Sequence, residues 1–347
     1  CSAQGEGAKS QNERSVKYNI QKSIAGSQMT LPVVGGVAAL LWMVAPTSLT
    51  TEPLEGAEYG FWRIVPEAMQ EGYGALGWGF LCAALAVYMM VELNNKNLLL
   101  RVSSRMLGSM LGILLTVAVA YHVFQPGSVV MLLVLLSFFP LFASYQRPEP
   151  AFSFRSFLLL SLASLFFPKL VWFVPLFWQM QWFFRTLSFR SFLASLMAVF
   201  TVYWLFAGFA ALIGRFPLFL EHVRAMVSFH PGDYLGLDYR KVVTFFFLVL
   251  LFVVGSIDNY AHRYLDRVRT RIIYDAICLM GAVVIVLICV QPQYADVLMP
   301  MLLMCTAMVF GHFFTLTHTR FSHICCLILS LLAVAVWTIQ YVCDSQS

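Results

Sequence analysis

Apolar runs separated by short polar segments recur along this chain from residue 30 to residue 342. Runs of roughly 17 to 22 residues match the ~30 Å hydrocarbon layer of a bilayer, so the pattern predicts an all-α, polytopic transmembrane helical bundle of about eleven membrane helices. The runs fall at about 30–46, 73–92 and 104–121, with a fourth ending near 144. Two short arms follow within 155–184, and the rest lie at about 191–212, 242–257, 274–291, 297–316 and 323–342. Residues 30–342 therefore form one bundle, preceded by a polar basic arm over 1–29 and followed by a short tail over 343–347.

One run is broken. Residues 152–190, FSFRSFLLLSLASLFFPKLVWFVPLFWQMQWFFRTLSFR, carry Pro168-Lys169 at their middle and Arg155, Arg185 and Arg190 at their ends. Arms of about 13 to 15 residues are too short to cross singly, so this stretch reads as a hairpin with both ends on one side. Charge placement supports that topology. With a hairpin, Lys9, Arg14, Lys17, Lys22, Lys96, Arg101, Arg105, Arg147, Arg155, Arg185, Arg190, the arginines of 263–271 and Arg320 all share a side. Only Arg63, Lys169, Arg215, Arg224, Arg240 and Lys241 fall opposite. Basic loops stay cytoplasmic, which puts the N-terminus inside and the C-terminus in the periplasm of a bacterial inner membrane. Treating 155–184 as one tilted span would invert every later loop and strand Lys169 in mid-membrane.

Two loops face outward in this scheme. The first, 47–72, holds Glu52, Glu55, Glu58, Glu67 and Glu71, and its Tyr59, Phe61 and Trp62 suit the headgroup layer. Within the second, 213–241, Phe216, Leu220, Val223 and Val227 recur at helical spacing, which fits an amphipathic surface helix; a solvated loop fits equally well. Gly108 and Gly112 stand at GxxxG spacing, the mark of a helix-packing face.

Composition sharpens the class. Hydrophobic residues make up 60% and charged residues 11% of the chain, and the mean hydropathy is +0.78. A typical soluble domain carries about 25% charge. No basic segment alternates with aromatics, which argues against a nucleic-acid partner. Of eight cysteines, Cys82, Cys278, Cys289, Cys305, Cys325 and Cys326 lie in apolar spans without CxxC spacing, as expected of small packing residues. Cys1 heading CSAQGEG would suit a lipidated mature terminus, but that would put the basic arm outside; a truncated start is the preferred reading.

Candidate chemistry is sparse. Lys169 at the break is an expensive cation among apolar arms, and it reads either as a phosphate ligand in an outward-facing cavity or as a snorkelling interfacial residue. Glu52 and Glu55 read as a general base or divalent-metal ligands, or as plain solvated charge. His312, His318 and His323 are spaced onto different helix faces, unlike a metal site. Asp258 and Asp275 bracket the 263–271 arginines and are expected to pair with them. GxSxG, HExxH and Walker phosphate-loop motifs are absent from the sequence.

The segments LNNKNLLLRVSSRMLGSML, LASLFFPKLVWFVPLFWQMQWFFR and RVRTRIIYDAICL with MPMLLMCTAMVFGHFF together resemble an uncharacterised family of multi-pass inner-membrane proteins of Bacteroidota. The hairpin is also similar to that of polyprenyl-phosphate-dependent membrane glycosyltransferases of the GT-C type. That resemblance implies an acidic residue in the first external loop as catalytic base or metal ligand, with Glu52 or Glu55 as the positional counterpart. A divalent metal enters only with this enzymatic reading. The chain departs from the pattern in having no aspartate in that loop, and in placing His122 and Gln125 where a second acidic pair would follow span three. The implied partners are membrane lipids, a polyprenyl-phosphate-linked sugar and other membrane proteins. A transporter or a non-catalytic membrane scaffold remain open as alternatives.

Overall fold

A computed structural model describes residues 29–44, 61–62, 65–70, 72–97, 99–100, 104–228, 238–316 and 320–344. Among them every regular element is helical. In chain order these are α1 (Thr30–Val44), α2 (Glu67–Gln70), α3 (Gly72–Asn97), α4 (Met106–Val117), α5 (Pro126–Ala143), α6 (Pro150–Phe166), α7 (Val174–Phe183), α8 (Phe189–Leu212), α9 (Phe216–Val227), α10 (Tyr239–His262), α11 (Val268–Val290), α12 (Ala295–Leu316) and α13 (Arg320–Asp344). Six of the described helices, α3, α5, α8, α10, α11 and α12, are long and apolar enough to cross a membrane. Further apolar stretches, over Thr30–Met43, Met106–Val117, Pro150–Phe166 and Ile328–Gln340, are shorter. This is the build of a multi-pass membrane protein, in which helices satisfy their own backbone hydrogen bonds away from water.

The core sits around α12. Over the stretch Pro292–Thr315, 94% of the most apolar window is buried, against 17% for α8. Buried α12 side chains such as Leu302, Met304, Cys305 and Met308 are 0% exposed. Helices α4, α5, α10 and α11 surround it. Glycines permit the close approaches. A methyl group at Gly255 would press on Val309 and Phe310, one at Gly311 on Leu107, and one at Gly127 on the Asp296 carbonyl. On α4, Gly108 lies against Val87 and Val91 of α3, while Gly112 meets Val34 of α1, so the GxxxG face is a packing face as expected. Its helix is shorter than its apolar run. It ends at Val117 and passes into a three-ten turn, Val119–Tyr121, whose Val119 N–H donates to Gln340 Oε1 at 3.0 Å.

The broken stretch folds back on itself. Gln181 Nε2 donates to Ser153 Oγ at 2.8 Å, and the Phe157 and Phe177 rings lie 5.9 Å apart, so α6 and α7 run antiparallel. At the root, Gln146 N–H donates to Phe184 O at 3.2 Å. At the tip, the three-ten segment Pro168–Phe173 makes the corner. The bundle thus has a tip end and a root end. Asn97, Phe142 and Arg269 meet at the root end, and so do Asp266 and His312. Lys241 and Asp296 meet at the tip end, where Phe124 N–H also donates to Ala75 O.

Trp62 is buried against Phe124. Asp275 pairs with Arg263 at 3.1 Å as expected, and Asp258 sits 2.9 Å from His262 of its own helix, one turn away. Cys82, Cys278 and Cys305 are buried and unbridged.

Substituting Gly127→Ala should lower stability by about 1–3 kcal/mol, because the backbone of α12 cannot yield to the added methyl group. Gly208→Ala, which meets nothing within 4 Å, should leave the melting temperature in detergent unchanged or slightly raised. Equal melting temperatures for Gly127→Ala and wild type would contradict this account of the core.

Candidate functional site at the hairpin tip

The hairpin corner exists because Pro168 lacks an N–H and holds Phe167 in an extended conformation, φ −140° and ψ 97°, which stops α6. The next residue, Lys169, is therefore delivered at the tip end on a three-ten turn. Its side chain is turned inward and is only 6% exposed. The amino group donates to the Tyr294 hydroxyl and lies 3.7 Å from the centre of that ring. Tyr294 belongs to the turn Pro292–Tyr294 that leads into α12 and is itself packed by Phe167 at 5.4 Å. A lysine held this way has both a hydrogen-bond acceptor and an aromatic face against its amino group.

Other polar groups lie at the same end. Lys241 Nζ and Asp296 Oδ1 are 2.7 Å apart and partly exposed, which ties the start of α10 to the start of α12. The Tyr121 hydroxyl and Gln125 Oε1 are buried and have no hydrogen-bond partner among the described residues. Unmet polar atoms in a well-packed region call for an explanation such as a ligand or water. His122 stacks on Trp42 with centroids 3.9 Å apart, and its Nε2 lies 3.1 Å from Thr116 O. Burial pushes the His122 pKa down to about 4, so the ring is neutral at physiological pH.

The first-loop glutamates, Glu52 and Glu55, lie outside the described residues, as do Glu58 and Arg63. What flanks them is described. α1 brings Trp42 to His122, and Phe61 rests on Phe166 and Phe206 at 6.3 and 5.0 Å. Phe166 is three residues from Lys169, so the chain leaving the acidic segment is anchored at the hairpin tip. No group of three or more metal-type ligands occurs among the described residues. At the root end, His312 Nε2 and Asp266 Oδ2 are 3.3 Å apart and buried beside Tyr274.

The sequence reading missed Tyr294, Tyr121, Asp296 and Lys241. Asp296 offered a signal, as a carboxylate at the head of an otherwise apolar run. Tyr294 and Tyr121 offered none, since tyrosines are ordinary at membrane boundaries.

Helix α9 covers the tip from outside, with the Trp172 indole N–H donating to Met226 O at 3.0 Å. The helix forms because Pro217 sits in its first turn and its apolar positions fall on one face, resolving the choice left open by the sequence. His222 is 1% exposed against Tyr203 and Phe206.

Together the fold and the site define an all-helical protein of multi-pass membrane build with a buried lysine at the corner of a helical hairpin. No protein-family model matches the chain, and no curated protein matches it either.

Burial lowers the His222 pKa from 6.5 to about 4, and neither ring nitrogen has a partner among the described residues. The stability this neutral ring confers is complete above 6.5 and declines as pH falls toward 4. Trp172 emission should therefore change over that interval as α9 loosens, and His222→Leu should remove the change. An identical pH profile in the variant would rule out His222 as the titrating group.

Proposed function

We propose that this protein handles a lipid-linked, polyprenyl-phosphate sugar at the outer face of a bacterial inner membrane, in a GT-C-like layout of about eleven membrane helices. Lys169 grips the phosphate, and Glu52 or Glu55 acts as the base. The observation that carries this reading is the seat of Phe61 on Phe166, which tethers the acidic first loop to the corner holding Lys169. From Phe61 back to Glu55 is six residues, a reach of up to roughly 20 Å in extended chain.

Three further features support it. The unpartnered Tyr121 hydroxyl and Gln125 Oε1 offer a donor and an acceptor at the same end. An apolar groove of about 500 Å³, lined by Val34, Ala38, Trp42, Phe80 and Val87, would accommodate an isoprenoid tail. Charge gives the orientation, because Arg105, Arg147, Arg155, Arg185, Arg190 and the 263–271 arginines gather at the root end. That end is then cytoplasmic and the tip periplasmic.

Chemically, the ammonium of Lys169 neutralises the charge that builds on the phosphate as the donor's diester becomes the polyprenyl phosphate monoester that leaves, while the anomeric carbon bonds to the incoming oxygen. The carboxylate takes a proton from the incoming hydroxyl as the glycosidic bond to the carrier breaks. A second reading, a non-catalytic membrane subunit, is favoured by the near-complete burial of Lys169, which would make its contact with Tyr294 a structural latch.

The two readings separate by mutation. Glu52→Gln with Glu55→Gln should lower sugar transfer from a short-chain polyprenyl-phosphate donor by about 100-fold or more while leaving donor retention intact. Lys169→Ala should lose donor retention, and Lys169→Arg should restore part of it. A protein that melts normally, retains no donor and supports unchanged envelope glycans in all three variants is the scaffold.

A further inference from the structure

We infer that the root end carries a second, separate lipid site: a groove that binds the phosphate headgroup of an anionic phospholipid, with an acyl chain lying along α5 and α6. It does not depend on the function proposed for the tip. The groove is a cavity of about 770 Å³ between the end of α5, the start of α6 and the start of α11. Its lining holds four cations, Lys96, Arg147, Arg155 and Arg269, and no carboxylate.

The cations differ in how they are held. Arg269 is fixed, with Nη2 donating to Asn97 Oδ1 at 2.9 Å and to Phe142 O at 3.1 Å, and its guanidinium 5.9 Å from the Tyr145 ring. Lys96 is balanced by Glu92, 3.2 Å away on the same helix. Arg147 and Arg155 are exposed, and neither makes a side-chain ion pair or hydrogen bond among the described residues. Glu149 stands between them in sequence but forms no ion pair with either. Two exposed guanidiniums and one anchored guanidinium thus converge with their charge unmatched. A phosphate, which accepts paired N–H donors from a planar guanidinium, matches that arrangement.

The other wall of the groove selects a lipid over a free anion. Leu136, Phe139, Leu158 and Leu159 continue away from the arginines. Leu136 lies seven residues before Ala143 on α5, about 10 Å further along the helix axis. Leu136 is 40% exposed, so this trough opens sideways to the surroundings of the bundle. A headgroup at the arginines therefore places its acyl chain on an apolar wall without bending.

The test uses the whole protein in nanodiscs of phosphatidylcholine, with phosphatidylglycerol added in steps and retained lipid read by native mass spectrometry. Wild type should retain phosphatidylglycerol in preference to phosphatidylcholine. Arg147→Gln with Arg155→Gln should weaken that retention roughly thirtyfold, as expected for removing two surface cations facing an anionic lipid. Arg190→Gln, an exposed arginine at the same end but outside the groove, should behave as wild type. Glycerol phosphate or inorganic phosphate at millimolar concentration should compete poorly. If either displaces the lipid fully, the site reads a free phosphate and the lipid assignment is overturned. Equal retention of the two lipids by wild type, or unchanged retention in a double variant with a normal melting temperature, overturns the site altogether.

Discussion

The structure depends on one helix being almost entirely removed from its surroundings. Helix α12 is clasped by α4, α5, α10 and α11, and its two ends are set by polar groups that lie outside its apolar middle. At the tip end Asp296 meets Lys241, and at the root end His312 meets Asp266. Between those points the contacts are dispersion and close backbone approach, allowed by Gly127, Gly255 and Gly311. In a bilayer, where lipid tails are as apolar as leucine side chains, such close packing has to do what the hydrophobic effect does in water. Everything at the tip is referred to this helix, since Tyr294 precedes it by one residue and receives the Lys169 amine.

The hairpin solves a different problem. Its second arm, α7, has ten residues and is too short to span, so the corner must end where protein surrounds it or water reaches it. Here protein surrounds it: Phe167, Tyr294 and α9 close over the turn, and Phe61 leans on its last residue before the break. A backbone that leaves regular α-geometry at Phe167 is tolerated because the Phe167 carbonyl still accepts from Leu170 N–H at 2.9 Å.

The sequence showed the helical class, the six long apolar helices and the doubling back at Pro168 because each rests on a local signal: run length, a proline, or the side on which arginines collect. It placed the helix within 213–241 only as one of two choices, since four apolar residues in an otherwise polar segment left a surface helix and a solvated loop both open. The centre of the bundle was not legible. Nothing in the composition of 297–316 separates a helix buried on all sides from one that faces lipid, because both are uniformly apolar. Nor did the sequence place Trp62, whose amphipathic ring suits an interface as well as a core. The candidate site was legible only through its cation. Its aromatic lid came from a residue 125 positions away, a pairing that no spacing rule reaches.

The last helix adds a constraint of another kind. Gln340 accepts from the Val119 N–H and donates to Thr244 Oγ1, which in turn donates to Arg240 O, so three segments share a directional run of hydrogen bonds. Val119 precedes Gln340 by 221 residues. The Val119 amide therefore finds this partner only once the chain has been made as far as Gln340, and an ionised glutamate at that position, able to accept but not to donate, would join only half of the run.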